Sequence, residues 1–277
     1  MVDVTNIRKS ICEIGKLLFD RELTDSSGGN ISVRDGDKIY ITPQSSGFNC
    51  QWSIEEDSII VTDLCKIPVL GNSENVSRES ATHYYIYQNF PDVNAIIHAH
   101  PIFFNTFNSA HVELPSIIEE TRLILSDQPI TNIEETIPCS VEQAESIIEN
   151  FKQRRKKDPK AALICGVPFH GSFAAGPDLN HAFVYTESAN NCARTIIYRK
   201  LMFKDDPKAD LSIHKKFTKE EIESVDKSKE VCEPGFSYKG ASGSTVTYNN
   251  RQGKNNSFNK SLIEDISKRV IRQLKEH

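Results

Sequence analysis

Apolar residues recur at helical spacing at the start of the chain: Ile7, Ile11, Ile14, Leu17 and Leu18 share one stripe. This predicts an amphipathic helix over residues 4–21. The turn-rich run from Thr24 to Asn30 follows, then two short strand patterns at 30–34 and 38–42, and a tight loop from Pro43 to Gly47. A strand near 58–62 and a loop over 71–77 lead to a helix over 78–89, which Glu79 would begin. The apolar run Val93–Ala99 reads as a buried strand, and a helix follows Pro101. After a middle stretch without clear period, the pattern predicts a helix at 141–152, strands at 161–165 and 169–175, and a long helix from Leu179 to Phe203.

Composition changes after about residue 205. A short helix is expected at 218–226, but 228–260 are rich in Ser, Gly, Asn and Lys. Such a stretch cannot bury enough apolar surface to offset its ordering entropy. Helical spacing returns in Leu262, Ile263, Ile266, Val270, Ile271 and Leu274, with Asn259 or Ser261 available as cap. The expected organisation is a catalytic domain at 1–215, a polar linker at 216–260 and an amphipathic helix at 261–277. That helix resembles the short tails that carry enzymes into bacterial microcompartments; the other reading packs it on a neighbouring subunit.

The 277 residues are 38% hydrophobic and 26% charged, with a formal net charge of −5 and a pI near 5.9. That balance argues against a nucleic-acid partner. No apolar run reaches membrane-span length and no signal-peptide core stands at the N-terminus, so a cytoplasmic protein without a membrane is expected. The seven cysteines are scattered and never spaced as C-x-x-C, which reads as reduced thiols.

His98-Ala99-His100 carries the chemistry. In a strand, residues two apart point to one side, so both imidazoles can face one ion. Zinc takes imidazole nitrogen, and three histidines with an open position make a catalytic site; a lone H-x-H also occurs by chance. Glu79, at the start of the helix leading back to that strand, can act as general base or transient ligand, or can merely complement the helix dipole. His83 can belong to the core. A third imidazole, His170, precedes Gly171. Gly28-Gly29-Asn30, Ser45-Ser46-Gly47 and Ser77-Arg78 can hold an anion through N–H groups and a guanidinium, although such loops are usually plain turns. No P-loop or dinucleotide fingerprint is present, so neither ATP nor NAD is implied.

Together Gly28–Arg34, Ile41-Thr42-Pro43 with Ser46-Gly47, Ser77-Arg78-Glu79 with His83, Pro91–His100 and His170-Gly171 resemble the class II aldolase/adducin family over about residues 5–203. The resemblance implies a three-layer α/β/α fold around a mainly antiparallel sheet, and a homotetramer with active sites at subunit interfaces. It implies Zn²⁺ on His98, His100 and His170, with Glu79 as the acid/base residue. Substrate phosphate would lie on Gly29, Asn30, Ser46, Gly47, Ser77 and Arg78. The implied reaction is cleavage of a ketose 1-phosphate of the fuculose or rhamnulose kind, giving dihydroxyacetone phosphate and an aldehyde such as lactaldehyde.

Two features depart from the family pattern: Gln44-Ser45 lengthens the loop after Pro43, and Arg78 replaces a serine. The alternatives are a sugar-phosphate 4-epimerase, a methylthioribulose-phosphate dehydratase, a tetronate-phosphate decarboxylase, or a non-catalytic adducin-like binding module. Epimerases typically carry aspartate at the position of Glu79, and adducin-like heads lose the metal histidines.

Overall fold

The chain reverses between short strands that pair into one sheet. A computed structural model describes residues 4–65, 68–70, 75–204 and 206. The segments 218–226 and 261–277, and all of the expected linker, lie outside the described residues. The chain divides into two units, Met1–Tyr198 and Arg199–His277, and the fold described here is that of the first.

The strands are β1 (Asn30–Asp35), β2 (Lys38–Ile41), β3 (Ile60–Asp63), β4 (Pro68–Leu70), β5 (Ala95–Ala99), β6 (Leu163–Val167) and β7 (Gly171–Gly176). They form a seven-stranded sheet in the order β4-β3-β2-β1-β5-β7-β6, every pair antiparallel. The helices are α1 (Val4–Asp20), α2 (Ser46–Cys50), α3 (Ser80–Asn89), α4 (Ile102–Ser109), α5 (Glu119–Leu125), α6 (Val141–Lys157) and α7 (Leu179–Phe203).

Alternation along β5 separates two cores. Ala95, Ile97 and Ala99 face one cluster with Ile7, Ile11 and Leu18 of α1, Trp52, and Leu179, Ala182 and Phe183 of α7. Ile96 faces the other, with Tyr84 and Tyr87 of α3, Ile147 and Phe151 of α6, and Phe173 of β7. Both Ile96 and Ile97 are fully buried, and each such side chain contributes about 1.5–3 kcal/mol. A one-residue slip of β5 would exchange the two sets, so register is firmly fixed. The result is the expected three-layer α/β/α arrangement.

Three short elements escaped the periodicity. The tight loop expected at Pro43–Gly47 runs into the single turn α2, flanked by left-handed Ser45 (φ 60°) and Gln51 (φ 48°). The seven residues of α5 and the three of β4 are too short to show a repeat. Glu79, expected to begin its helix, is instead the residue just before α3. All six described cysteines are free.

Candidate active site

The register of β5 decides what surrounds its histidines. His98 lies opposite Asn30 on β1 and Phe173 on β7. Its ring stacks on Phe173 with centroids 4.4 Å apart and planes 21° apart. Its Nδ1 donates to the Ser172 carbonyl at 3.0 Å, which leaves Nε2 as the free ring nitrogen. His100 is held in the same way: its Nδ1 meets Asp25 Oδ1 at 3.3 Å, with Ser27 Oγ at 3.4 Å.

Their two Nε2 atoms then face each other at 3.3 Å. His170 completes the group, its ring 4.8 Å from that of His98 and 5.4 Å from that of His100. One ligand atom from each of the three lies within 4.8 Å of the others. Two nitrogen lone pairs cannot face each other at that distance without a proton or a cation between them. With both Nδ1 atoms already committed, the donor set fits a metal ion. Burial first, then the neighbouring His98, lowers the pKa of His170 to about 4 and also lowers that of His100. Both rings are therefore neutral at pH 7, the form that binds metal.

Close packing brings the loop before β1 against these rings. A side chain at Gly28 would put its Cβ 2.5 Å from His100 Cε1, and one at Gly171 would lie 2.4 Å from the Ala99 carbonyl and 2.8 Å from His100 Cδ2. Only glycine allows either approach.

Glu79 makes no side-chain capping hydrogen bond to α3. Its Oε2 instead lies 2.7 Å from His98 Nε2 and accepts from Asn30 Nδ2 at 3.3 Å. Its Oε1 is buried without a hydrogen-bond partner, 3.8 Å from His170 Nε2. Burial alone would raise its pKa, but the charge and hydrogen bond of His98, then His170, outweigh it and bring the value to about 2. The group is a carboxylate throughout the neutral range, and the helix-dipole reading does not account for its direction.

All of the expected site residues line one cavity of about 230 Å³: Gly29, Asn30, Ser46, Gly47, Ser77, Arg78, Glu79, His98, His100 and His170. Arg78 is exposed, and no carboxylate pairs with it among the described residues. His83 is elsewhere, fully buried, with Nδ1 2.6 Å from Ser32 Oγ. Sequence reading missed Asp25 and Ser172, which hold the rings, and Phe48, Pro138 and Cys139, which join the wall. Asp25 lies 75 positions from its imidazole, and no local pattern marks such a pair.

Residues 9–197 match the family described as Class II Aldolase and Adducin N-terminal domain. The chain belongs to this family. It is 30% identical over 194 residues to an L-fuculose phosphate aldolase of Methanococcus maripaludis, covering 70% of this chain and 95% of that protein. It is 26% identical to a methylthioribulose-1-phosphate dehydratase of Komagataella phaffii, covering 67% of this chain and 80% of that one. Among solved structures, an L-fuculose 1-phosphate aldolase superposes with a TM-score of 0.64 at 24% identity, covering 83% of this chain and 98% of that chain. Family and relatives together put this class II aldolase among the lyases, with three imidazoles able to bind a metal ion.

Proposed function

We propose that this enzyme is a Zn²⁺-dependent aldolase that cleaves a ketose 1-phosphate to dihydroxyacetone phosphate and an aldehyde such as lactaldehyde. One observation carries the reading: three imidazoles and an ionised glutamate converge in a cavity that an exposed arginine also lines. A donor set of imidazole nitrogens suits zinc. The names of relatives such as the Methanococcus maripaludis aldolase support a fuculose- or rhamnulose-like substrate.

Cleaving the bond between C3 and C4 of a ketose leaves an electron pair on C3. A bound divalent ion would supply Lewis-acid stabilisation of the negative charge that spreads onto the ketose oxygens. In condensation the Glu79 carboxylate removes the proton from C3. In cleavage the proton that leaves the C4 hydroxyl as the aldehyde forms passes to Glu79, which returns it to C3. Its buried position beside His98 keeps it a carboxylate, the form required of a base. Arg78, Ser46 and Ser77 hold the phosphate by charge and hydroxyl groups, with Gly29, Gly47 and Asn30 supplying N–H donors. Fixing that end brings C3 to Glu79 and limits rotation before reaction.

In this reading the enzyme is a cytoplasmic homotetramer with active sites at subunit interfaces. Segment 261–277, beyond the 1–215 domain and the 216–260 linker, docks on a microcompartment shell that retains the aldehyde. Deleting 256–277 should leave catalysis intact, and fusing that segment to a fluorescent protein should carry it to the shell. Loss of the tetramer on truncation would assign the segment to assembly.

The deciding experiment incubates zinc-loaded protein with a panel of ketose 1-phosphates and couples dihydroxyacetone phosphate release to a reporter. Release from a fuculose- or rhamnulose-like substrate supports the reading. The Komagataella phaffii relative motivates a second substrate, methylthioribulose 1-phosphate. Loss of water from it, with no dihydroxyacetone phosphate from any ketose, would make the enzyme a dehydratase.

A further inference from the structure

The three imidazoles are not held alike. His98 and His100 each engage Nδ1 with a second group, the Ser172 carbonyl and the Asp25 carboxylate. Such partners normally fix the orientation of a ligand ring. His170 has none: its Nδ1 is buried without a hydrogen-bond partner. Its ring direction therefore depends on where its main chain is held. The preceding Phe169 is 68% exposed at φ 54°, its ring edge-on to His111 at 5.3 Å.

On the amide side the backbone N–H of His170 donates to the Val167 carbonyl at 3.2 Å, closing the turn from β6. On the carbonyl side the hold comes from α4. Asn105 Nδ2 donates to the His170 carbonyl at 3.2 Å, and Asn108 Nδ2 donates to the Gly171 carbonyl at 2.8 Å. The two amides stand three residues apart on one helix face. They are also joined to each other, Asn108 Nδ2 to Asn105 Oδ1 at 3.2 Å. Asn108 is fully buried. The helix is itself fixed at its start, where Asn190 Oδ1 of α7 accepts from Phe103 N and Phe104 N at 3.0 and 3.2 Å.

Because α4 begins one residue after Pro101, residues 98–108 form a continuous unit. Its strand end carries two imidazoles, and its helix grips the backbone of the third. We propose that Asn105 and Asn108 are positioning residues that set His170 relative to His98 and His100 through its main chain. This rests on the metal reading of the triad and not on the identity of the sugar. Asn105 matters most for the ring, because its bond is to the carbonyl of His170 itself.

The test uses the full-length protein and Co²⁺ or Zn²⁺ as probe. Asn105→Ala removes both of its hydrogen bonds. Asn105→Asp keeps the acceptor toward Asn108 and removes the donor to His170. Thr106→Ala is the control, since among the described residues that exposed hydroxyl bonds only to Ile102 of its own helix. Both Asn105 variants should bind metal roughly 10–100-fold more weakly by chelator competition and shift the visible spectrum of bound Co²⁺. For Asn105→Ala the metal-free Tm should move by only about 4–8 °C, as expected for two net hydrogen bonds.

Wild-type affinity and spectrum in both variants would overturn the proposal while leaving the metal site standing. Weakening no greater than in Thr106→Ala would do the same. Failure of the wild-type protein to bind either ion would overturn the metal reading and this inference with it. Sugar-phosphate turnover enters none of these measurements, so failure of the aldolase assignment is separately visible.

Discussion

The carboxylate of Glu79 stands 2.7 Å from Nε2 of His98, the ring nitrogen left over once Nδ1 has bonded the Ser172 carbonyl. A metal ion on the triad would need that same nitrogen. The carboxylate and the ion would compete for it, so metal binding should displace Glu79 from His98 and free its carboxylate. A residue at the start of α3 that caps nothing thereby gains a reason for its position.

Metal content is the first consequence. Wild-type protein should retain about one zinc per chain after dialysis, and His98→Ala, His100→Ala or His170→Ala should retain almost none. Elemental analysis after exposure to a mild chelator reads this directly. Stoichiometric zinc with full turnover in His98→Ala would remove that residue from the ligand set.

Glu79→Gln separates chemistry from metal binding. The amide keeps the size of the side chain but cannot take a proton from carbon. Zinc content should hold while kcat falls by roughly 10²–10⁴, the usual span for a general acid/base. Near wild-type turnover would transfer the role to another group.

How much of this was legible depended on length scale. The continuous apolar run of β5 and the 3.6 period of α1, α6 and α7 were long enough to read, and His98 and His100 stood on one face as soon as that run was a strand. Glu79, Arg78 and the glycine loops were marked by composition and by family resemblance. Asp25, Ser172, Asn105 and Asn108 act across many positions, each on a ring or backbone atom far along the chain. Such pairings exist only after the sheet has closed. The short α2 and α5 gave no repeat to count.

Arg78 is exposed at a cavity it lines, with no described carboxylate to neutralise it. Arg78→Ala should raise KM for a phosphorylated ketose by about 10–100-fold, the size expected when a charged hydrogen bond is lost. Zinc content should stay at the wild-type level. Steady-state kinetics with phosphorylated and unphosphorylated ketoses makes the comparison; equal losses on both would place the phosphate elsewhere.

The last prediction concerns acid. Burial, then the charge of His98, depresses the pKa of His83 from 6.5 to about 3. His83 is fully enclosed, edge-on to Phe173 at 5.9 Å and bonded through Nδ1 to Ser32 Oγ at 2.6 Å. Between pH 6.5 and 3 the unfolded chain therefore binds a proton at this residue that the folded chain refuses. Stability rises with pH across that window, is fully present above 6.5, and is lost as pH falls toward 3. His170 acts in the same sense from 6.5 to about 4, and Glu79 from 4.5 to about 2. For His83 the loss is on the order of a few kcal/mol. His83→Gln keeps a polar group near Ser32 but cannot titrate. Urea unfolding of metal-free protein, followed by circular dichroism in steps from pH 7 to 3, should give a shallower decline for the variant, despite lower stability at pH 7. Parallel declines in the two proteins would show that His83 takes up its proton without unfolding the core.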